Sequence, residues 1–157
     1  MHIVETNLRF SQLYERAETK FIIVHHSAIS SDFSAAQIHQ SHLNIGYSGI
    51  GYHFFIQKSG LIERGRPVWA EGAHAFHYNN NSLGVCLSGN FEFEKPNHYQ
   101  IESAAALIAQ LCKEFHIPIN RKHILAHREL NDTACPGMYL YALMDTISGK
   151  ANWYAKG

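Results

Sequence analysis

The segment Ala126-His127-Arg128-Glu129-Leu130-Asn131-Asp132-Thr133-Ala134-Cys135-Pro136-Gly137 puts an imidazole and a thiol eight residues apart across a polar loop. Both are borderline-soft donors of the kind that bind Zn²⁺. Two donors leave coordination positions open, so a further ligand must come from elsewhere in the chain. His25 and His26 end the apolar run Phe21-Ile22-Ile23-Val24 and are candidates. Successive side chains of an extended strand point to opposite faces, so at most one of the pair reaches the metal. The spacing is neither a CxxC nor an HExxH pattern. A bland alternative stands beside it, with His127 a hydrogen-bonded core histidine and Cys135 a loop thiol.

The elements that must position these residues follow from local pattern. Phe21 to His25 is a short β-branched run and predicts a buried strand. Ser30 to Ser34 supplies capping residues for a short helix with Ala35, Ile38 and His42 on one face. Tyr52 to Ile56 predicts a strand, and Lys58-Ser59-Gly60 a hairpin turn into Leu61 to Arg64. Gly65 to Asn81 has no clear periodicity and is rich in Gly, His, Asn and aromatics, which fits a functional loop. Ser82 to Ser88 reads as a second buried strand. Asn97 caps the strongest helix, whose stripe is Ile101, Ala104, Ala105, Ile108, Leu111, Cys112 and Phe115. Ile124 to His127 is a short strand. Leu140, Leu143, Met144 and Ile147 form a last helix with Gly149 as its C-cap. Interleaved strands and helices predict an α/β protein, a mixed central sheet with helices on both faces.

Composition bounds the function. The chain has 157 residues, 46% apolar and 17% charged, which excludes a disordered tail or a long coiled coil and fits one domain over residues 1–157. Lys plus Arg and Asp plus Glu are 13 each, so the formal charge is zero and no basic excess serves nucleic acid or an anionic membrane. The 12 histidines make the charge sensitive to pH near neutrality. Three cysteines do not form a disulfide framework; Cys86 and Cys112 sit in apolar surroundings as small buried hydrophobes, and synthesis in a reducing compartment is expected. The first twenty residues mix charged with apolar side chains, unlike a signal peptide, and no apolar run is long enough to span a bilayer.

A resemblance narrows the chemistry. Six segments in order carry it: Ile23-Val24-His25-His26-Ser27, Gly51-Tyr52-His53-Phe54, Gly72-Ala73-His74-Ala75, Tyr78-Asn79 through Ser82-Leu83-Gly84-Val85, Ala126-His127-Arg128, and Thr133-Ala134-Cys135-Pro136-Gly137. Over about residues 21–141 the chain resembles the zinc-dependent N-acetylmuramoyl-L-alanine amidases of the phage lysozyme-like and peptidoglycan-recognition-protein superfamily. The resemblance implies hydrolysis of the amide between N-acetylmuramic acid and L-alanine in peptidoglycan. It implies Zn²⁺ held by His25, His127 and Cys135, with His26 in the variable place of the first motif.

Three protein ligands leave a fourth position for water, as in catalytic zinc sites. The resemblance also implies that Tyr52 serves as oxyanion donor and proton relay. Thr133 is the second catalytic candidate; phage relatives commonly carry Lys there, and a neutral hydroxyl stabilises an oxyanion less than an ammonium. His74 and Asn79 match positions that line the substrate groove, and His53 is a weaker groove candidate. Glu129 is either a base or a solvated loop carboxylate. Trp69 and Phe76 are rim or core aromatics that could pack on a sugar. His2, His39, His98 and His116 are expected on the surface or on helices without a site role.

Two other functions stay open at this stage. One is a module that binds peptidoglycan without cutting it; the other is a Cys-His hydrolase with Cys135 as nucleophile. The enzyme reading predicts a monomer made in the cytoplasm without a signal peptide, acting on the wall after release in the manner of a phage or prophage endolysin.

Overall fold

The computed structural model describes residues 1–157. Six strands form one mixed sheet: β1 (Ile3–Val4), β2 (Phe21–His26), β3 (Phe54–Ile56), β4 (Ile62–Arg64), β5 (Ser82–Leu87) and β6 (Ile124–Ala126), in spatial order β1-β4-β3-β5-β2-β6. β2 is parallel to both β5 and β6, β3 is parallel to β5, and the β3–β4 hairpin supplies the antiparallel pair. β2 and β5 are apolar on both faces because both faces are covered, as parallel strands require. β1, which pairs with β4, carries no pattern that predicts it; a two-residue strand is too short to show a period.

Side-chain alternation sorts the two faces. Ile22, Val24, Leu83, Val85 and Leu87 enter the larger core with α2 (His98–Phe115) and α4 (Met144–Lys156). Phe55 and Cys86 face the other way and pack with Ala35, Ile38 and Ile50 under α1 (Ala35–Asn44). Helices therefore cover both faces, as the pattern predicts. Each fully buried Leu, Ile or Phe contributes about 1.5–3 kcal/mol. Capping boxes start α1 and α2: Ser34 with Gln37 for α1, and Asn97 with Gln100 for α2. No helix is long and apolar enough to cross a membrane.

Three expectations about elements need correction. The last helix is two: α3 (Met138–Tyr141) and then α4, and Gly149 lies inside α4 rather than capping it. Its side faces open space, where a helical glycine costs only about 1 kcal/mol against the packing of Ile147 and Ala151. The strand expected from Tyr52 starts at Phe54, and β6 stops at Ala126. His127 instead opens a single 3₁₀ turn, His127–Glu129.

Candidate metal centre and its cleft

The parallel strands β2, β5 and β6 all end at one edge, and the crevice beyond the carboxyl ends of such strands is where α/β folds bind ligands. Here that crevice is a cleft of about 950 Å³, and His25, His127 and Cys135 are among its lining residues. His25 is the fifth residue of β2 and points to the α1 face, opposite Cys86 in register. His26 points the other way. Its ring stacks on Phe91 and accepts from the Phe91 N–H at 3.1 Å. Only one of the pair therefore reaches the centre, as strand alternation expects, and it is His25, the one the resemblance implies.

Cys135 reaches the same point through its loop. Its carbonyl accepts from the Arg128 N–H at 2.8 Å, and Gly137 lies so close to Phe91 that a Cβ would meet the Phe91 carbonyl carbon at 2.4 Å. With φ of +92°, Gly137 is also in a region that favours glycine. His25, His127 and Cys135 bring one ligand atom each to within 4.8 Å of one another. The Cys135 Sγ to His25 Nδ1 separation is 3.6 Å. Metal–sulfur and metal–nitrogen bonds of about 2.3 and 2.0–2.1 Å at a tetrahedral angle give a ligand–ligand edge of about 3.6 Å, so this donor pair fits zinc.

Hydrogen bonds decide which ring nitrogens face the centre. Ser82 donates its hydroxyl to the Tyr78 carbonyl at 2.6 Å, which leaves its oxygen to accept from His74 Nε2 at 3.3 Å. His74 Nδ1 is then an acceptor, and His25 Nε2 donates to it at 2.8 Å. That leaves the lone pair of His25 on Nδ1. The Asn131 amide nitrogen donates to the Phe76 carbonyl, so its oxygen accepts from His127 Nε2 at 2.8 Å. His127 likewise keeps its lone pair on Nδ1. Burial and the neighbouring histidines hold His25 well below the ordinary imidazole range; burial also lowers His127. Both rings are therefore neutral donors at neutral pH. Burial pushes the Cys135 thiol up to about 12, eased in part by the His26 N–H that it accepts at 3.4 Å. A nucleophilic thiolate–imidazolium pair needs the opposite shifts in both groups, which disfavours the Cys-His hydrolase.

The comparisons with known proteins agree with this geometry. Residues 15–138 match the family described as N-acetylmuramoyl-L-alanine amidase. The chain belongs to this amidase family. It is 35% identical over 136 residues to the endolysin of Escherichia phage T7, covering 82% of this chain and 87% of that one. Among solved structures it resembles the N-acetylmuramoyl-L-alanine amidase LysC from Clostridium intestinale, with a TM-score of 0.87, 32% identity and coverage of 97% and 98%. It also resembles a tyrosine-to-phenylalanine mutant of Drosophila PGRP-LB in complex with tracheal cytotoxin, with a TM-score of 0.77, 27% identity and coverage of 89% and 90%.

In this amidase the remaining expected site residues divide into two groups. Tyr52, Thr133, His74 and Asn79 line the cleft. The Tyr52 ring lies 5.0 Å from that of His25, and burial with the nearby Cys86 and Cys135 pushes its phenol well above the ordinary range. It keeps its proton and can donate. Thr133 accepts from the Cys135 N–H at 3.2 Å, so its hydroxyl proton is free for the cleft. Asn79 spends its side-chain oxygen on the His74 and Ala75 N–H groups at 2.8 and 2.9 Å, holding the loop that carries His74.

His53 does not line the cleft, contrary to expectation. It is fully buried, its Nδ1 accepts from the Gly84 N–H at 3.0 Å and its Nε2 bonds the Ala70 carbonyl at 2.7 Å. Tyr52 lines the cleft and His53 does not, so these two successive side chains part to opposite sides, as alternation along an extended segment expects. Glu129 also lies outside the cleft; it accepts from the Ala126 N–H at 2.8 Å and pairs with Arg121. Phe76 lines the cleft and Trp69 does not. His39 is on a helix but buried, bonded to the Arg9 carbonyl and the Ile50 N–H. Among the cleft residues that the sequence reading does not pick out are Asn131, four residues after His127, the exposed Phe93, and His42, which the helix pattern assigns only to packing.

Proposed function

We propose that this protein is a zinc amidase that hydrolyses the amide between N-acetylmuramic acid and L-alanine in peptidoglycan. The observation that carries the reading is the convergence of His25, His127 and Cys135 on the wall of an open cleft. The donor set, two neutral imidazoles and a thiol, fits Zn²⁺ and leaves a position that no side chain of the set fills. Bound zinc supplies a water acidified toward neutral pH and a Lewis acid for the amide carbonyl.

The chain's own residues do the rest. Tyr52, protonated and beside His25, donates to the oxygen that becomes anionic as the carbonyl turns tetrahedral. Thr133 offers a second, neutral donor from the facing loop. His74, Ser82 and Asn131 keep both rings turned with Nδ1 inward, so no rotation is needed before reaction. The exposed Phe76 and Phe93 on the cleft wall offer apolar faces to a sugar or stem peptide. The Drosophila relative in complex with tracheal cytotoxin supports a peptidoglycan-derived ligand for this cleft. We read the chain as one domain acting as a monomer on the cell wall.

The test is digestion of purified peptidoglycan by zinc-loaded protein. New L-alanine amino termini, abolished by phenanthroline and restored by zinc, are expected. Retention on the wall without new amino termini would make the protein a binding module instead.

A further inference from the structure

Residues 14–20 run along the loop that carries His74 and are clipped to it at both ends. At one end the Glu71 N–H donates to the Tyr14 carbonyl at 2.7 Å, and the Arg16 N–H to the Trp69 carbonyl at 2.8 Å. At the other the Lys20 N–H donates to the Asn81 carbonyl at 2.8 Å. Between these clips the Arg16 side chain is buried, and no carboxylate pairs with it. A buried cation is costly unless its donors are satisfied. Here Nε donates to the Glu18 carbonyl at 3.1 Å and to Thr19 Oγ1 at 3.0 Å, Nη2 donates to Thr19 Oγ1 at 2.8 Å, and Nη1 donates to the Ala70 carbonyl at 2.9 Å. The guanidinium carbon lies 5.7 Å from the centre of the Phe115 ring, at the end of α2.

The Ala70 carbonyl joins this cation to the metal centre. His53 accepts from the Gly84 N–H at Nδ1, so its proton is on Nε2 and goes to the same Ala70 oxygen at 2.7 Å. Arg16 Nη1 and His53 Nε2 stand 3.5 Å apart as two donors on one acceptor. A Cβ on Gly72 would meet His53 Cε1 at 3.0 Å and His74 Cδ2 at 2.6 Å, so the chain between Ala70 and His74 is wedged against both rings. Those rings meet edge to face with centroids 5.9 Å apart. His74 in turn bonds His25 at 2.8 Å.

We propose that Arg16 is a positioning residue for the metal centre: its guanidinium fixes the Ala70 carbonyl and, with it, the loop that turns His74 toward His25. Arg16 does not line the cleft, so it acts only through other groups. A planar fork of donors reaches the Thr19 hydroxyl and two backbone carbonyls at once, which the point charge of a lysine cannot do. This inference rests on the zinc reading of His25, His127 and Cys135.

Competition with a chromogenic chelator on folded protein, beside Tm, tests it. Arg16→Lys keeps the charge and loses the fork. It should weaken zinc binding by about 2- to 30-fold, the range for residues that act on a site through others. In a His74→Ala background the same substitution should change the affinity by less than about 2-fold, because the group that transmits its effect is gone. Thr19→Val leaves Arg16 in place and removes an acceptor of Nε and Nη2. It should weaken zinc binding in the same direction by a smaller factor, and it decides the question if Arg16→Lys does not fold. Wild-type zinc affinity in folded Arg16→Lys, or in Thr19→Val where only that variant folds, would overturn the proposal and leave Arg16 a packing residue, whatever the Tm. Equal weakening with and without His74 would overturn it too. A wild-type protein that binds no zinc would instead sink the metal reading, and this inference with it.

Discussion

His25 Nε2 lies 2.8 Å from His74 Nδ1, and the direction of that hydrogen bond is set by Ser82, whose hydroxyl already donates to the Tyr78 carbonyl. A buried serine thus fixes which nitrogen of a metal-site histidine faces the ligand centre. His74→Ala should weaken zinc binding by about 10- to 100-fold, the usual cost of losing an orienting partner. Competition with a chromogenic chelator measures this without reference to turnover. Unchanged affinity would leave His74 with only a groove role.

Space for the His74 ring comes from two glycines. A Cβ on Gly84 would sit 2.7 Å from His74 Cγ, and one on Gly72 would sit 2.6 Å from His74 Cδ2. Gly84→Ala should therefore destabilise the protein by about 1–3 kcal/mol and weaken zinc binding as well. Thermal unfolding together with the chelator titration checks both effects. A normal Tm with normal zinc affinity would show that the ring does not occupy this place.

Tyr52→Phe removes one hydroxyl beside the ligand set and leaves the ring packed near Cys86. Zinc content should be retained, with kcat lower by about 10²- to 10³-fold, the cost of one oxyanion donor. Equal kcat in the variant would remove Tyr52 from the chemistry.

Much of this arrangement is legible in the sequence, and the exceptions have physical causes. β2 is visible because Ile22, Ile23 and Val24 form one apolar run buried on both sides; strand alternation allows only one of His25 and His26 to reach the centre, and the resemblance points to His25. His127 and Cys135 stand out because a thiol and an imidazole share a short polar loop. By contrast, β1 is too short for any period, and the break between α3 and α4 falls inside a continuous helical stripe. Asn131 bonds the His127 ring one turn away and the Phe76 carbonyl far along the chain, and His42 bonds the Gly51 N–H across a loop; such side-chain bonds leave no hydrophobic period in the sequence.

Acid should loosen the fold through the buried histidines. Burial holds His53 at about 3, against an ordinary 6.5 in the unfolded chain. The unfolded state binds the extra proton, so this stability is fully present above about pH 6.5. It is lost as pH falls toward 3, at about 1.4 kcal/mol per pH unit for one group. His42, lowered to about 4, adds in the same direction. Urea unfolding between pH 7.5 and 5 should show stability falling with acid, and less steeply in His53→Asn. A flat profile would mean that these rings are solvated.

The central claim is that His25, His127 and Cys135 together grip one zinc ion, and metal content per chain tests it most directly. Elemental analysis of folded, dialysed protein should find about one zinc in the wild type and almost none in His25→Ala or Cys135→Ala, with amidase activity lost in step. Full zinc content in either folded variant would contradict the account.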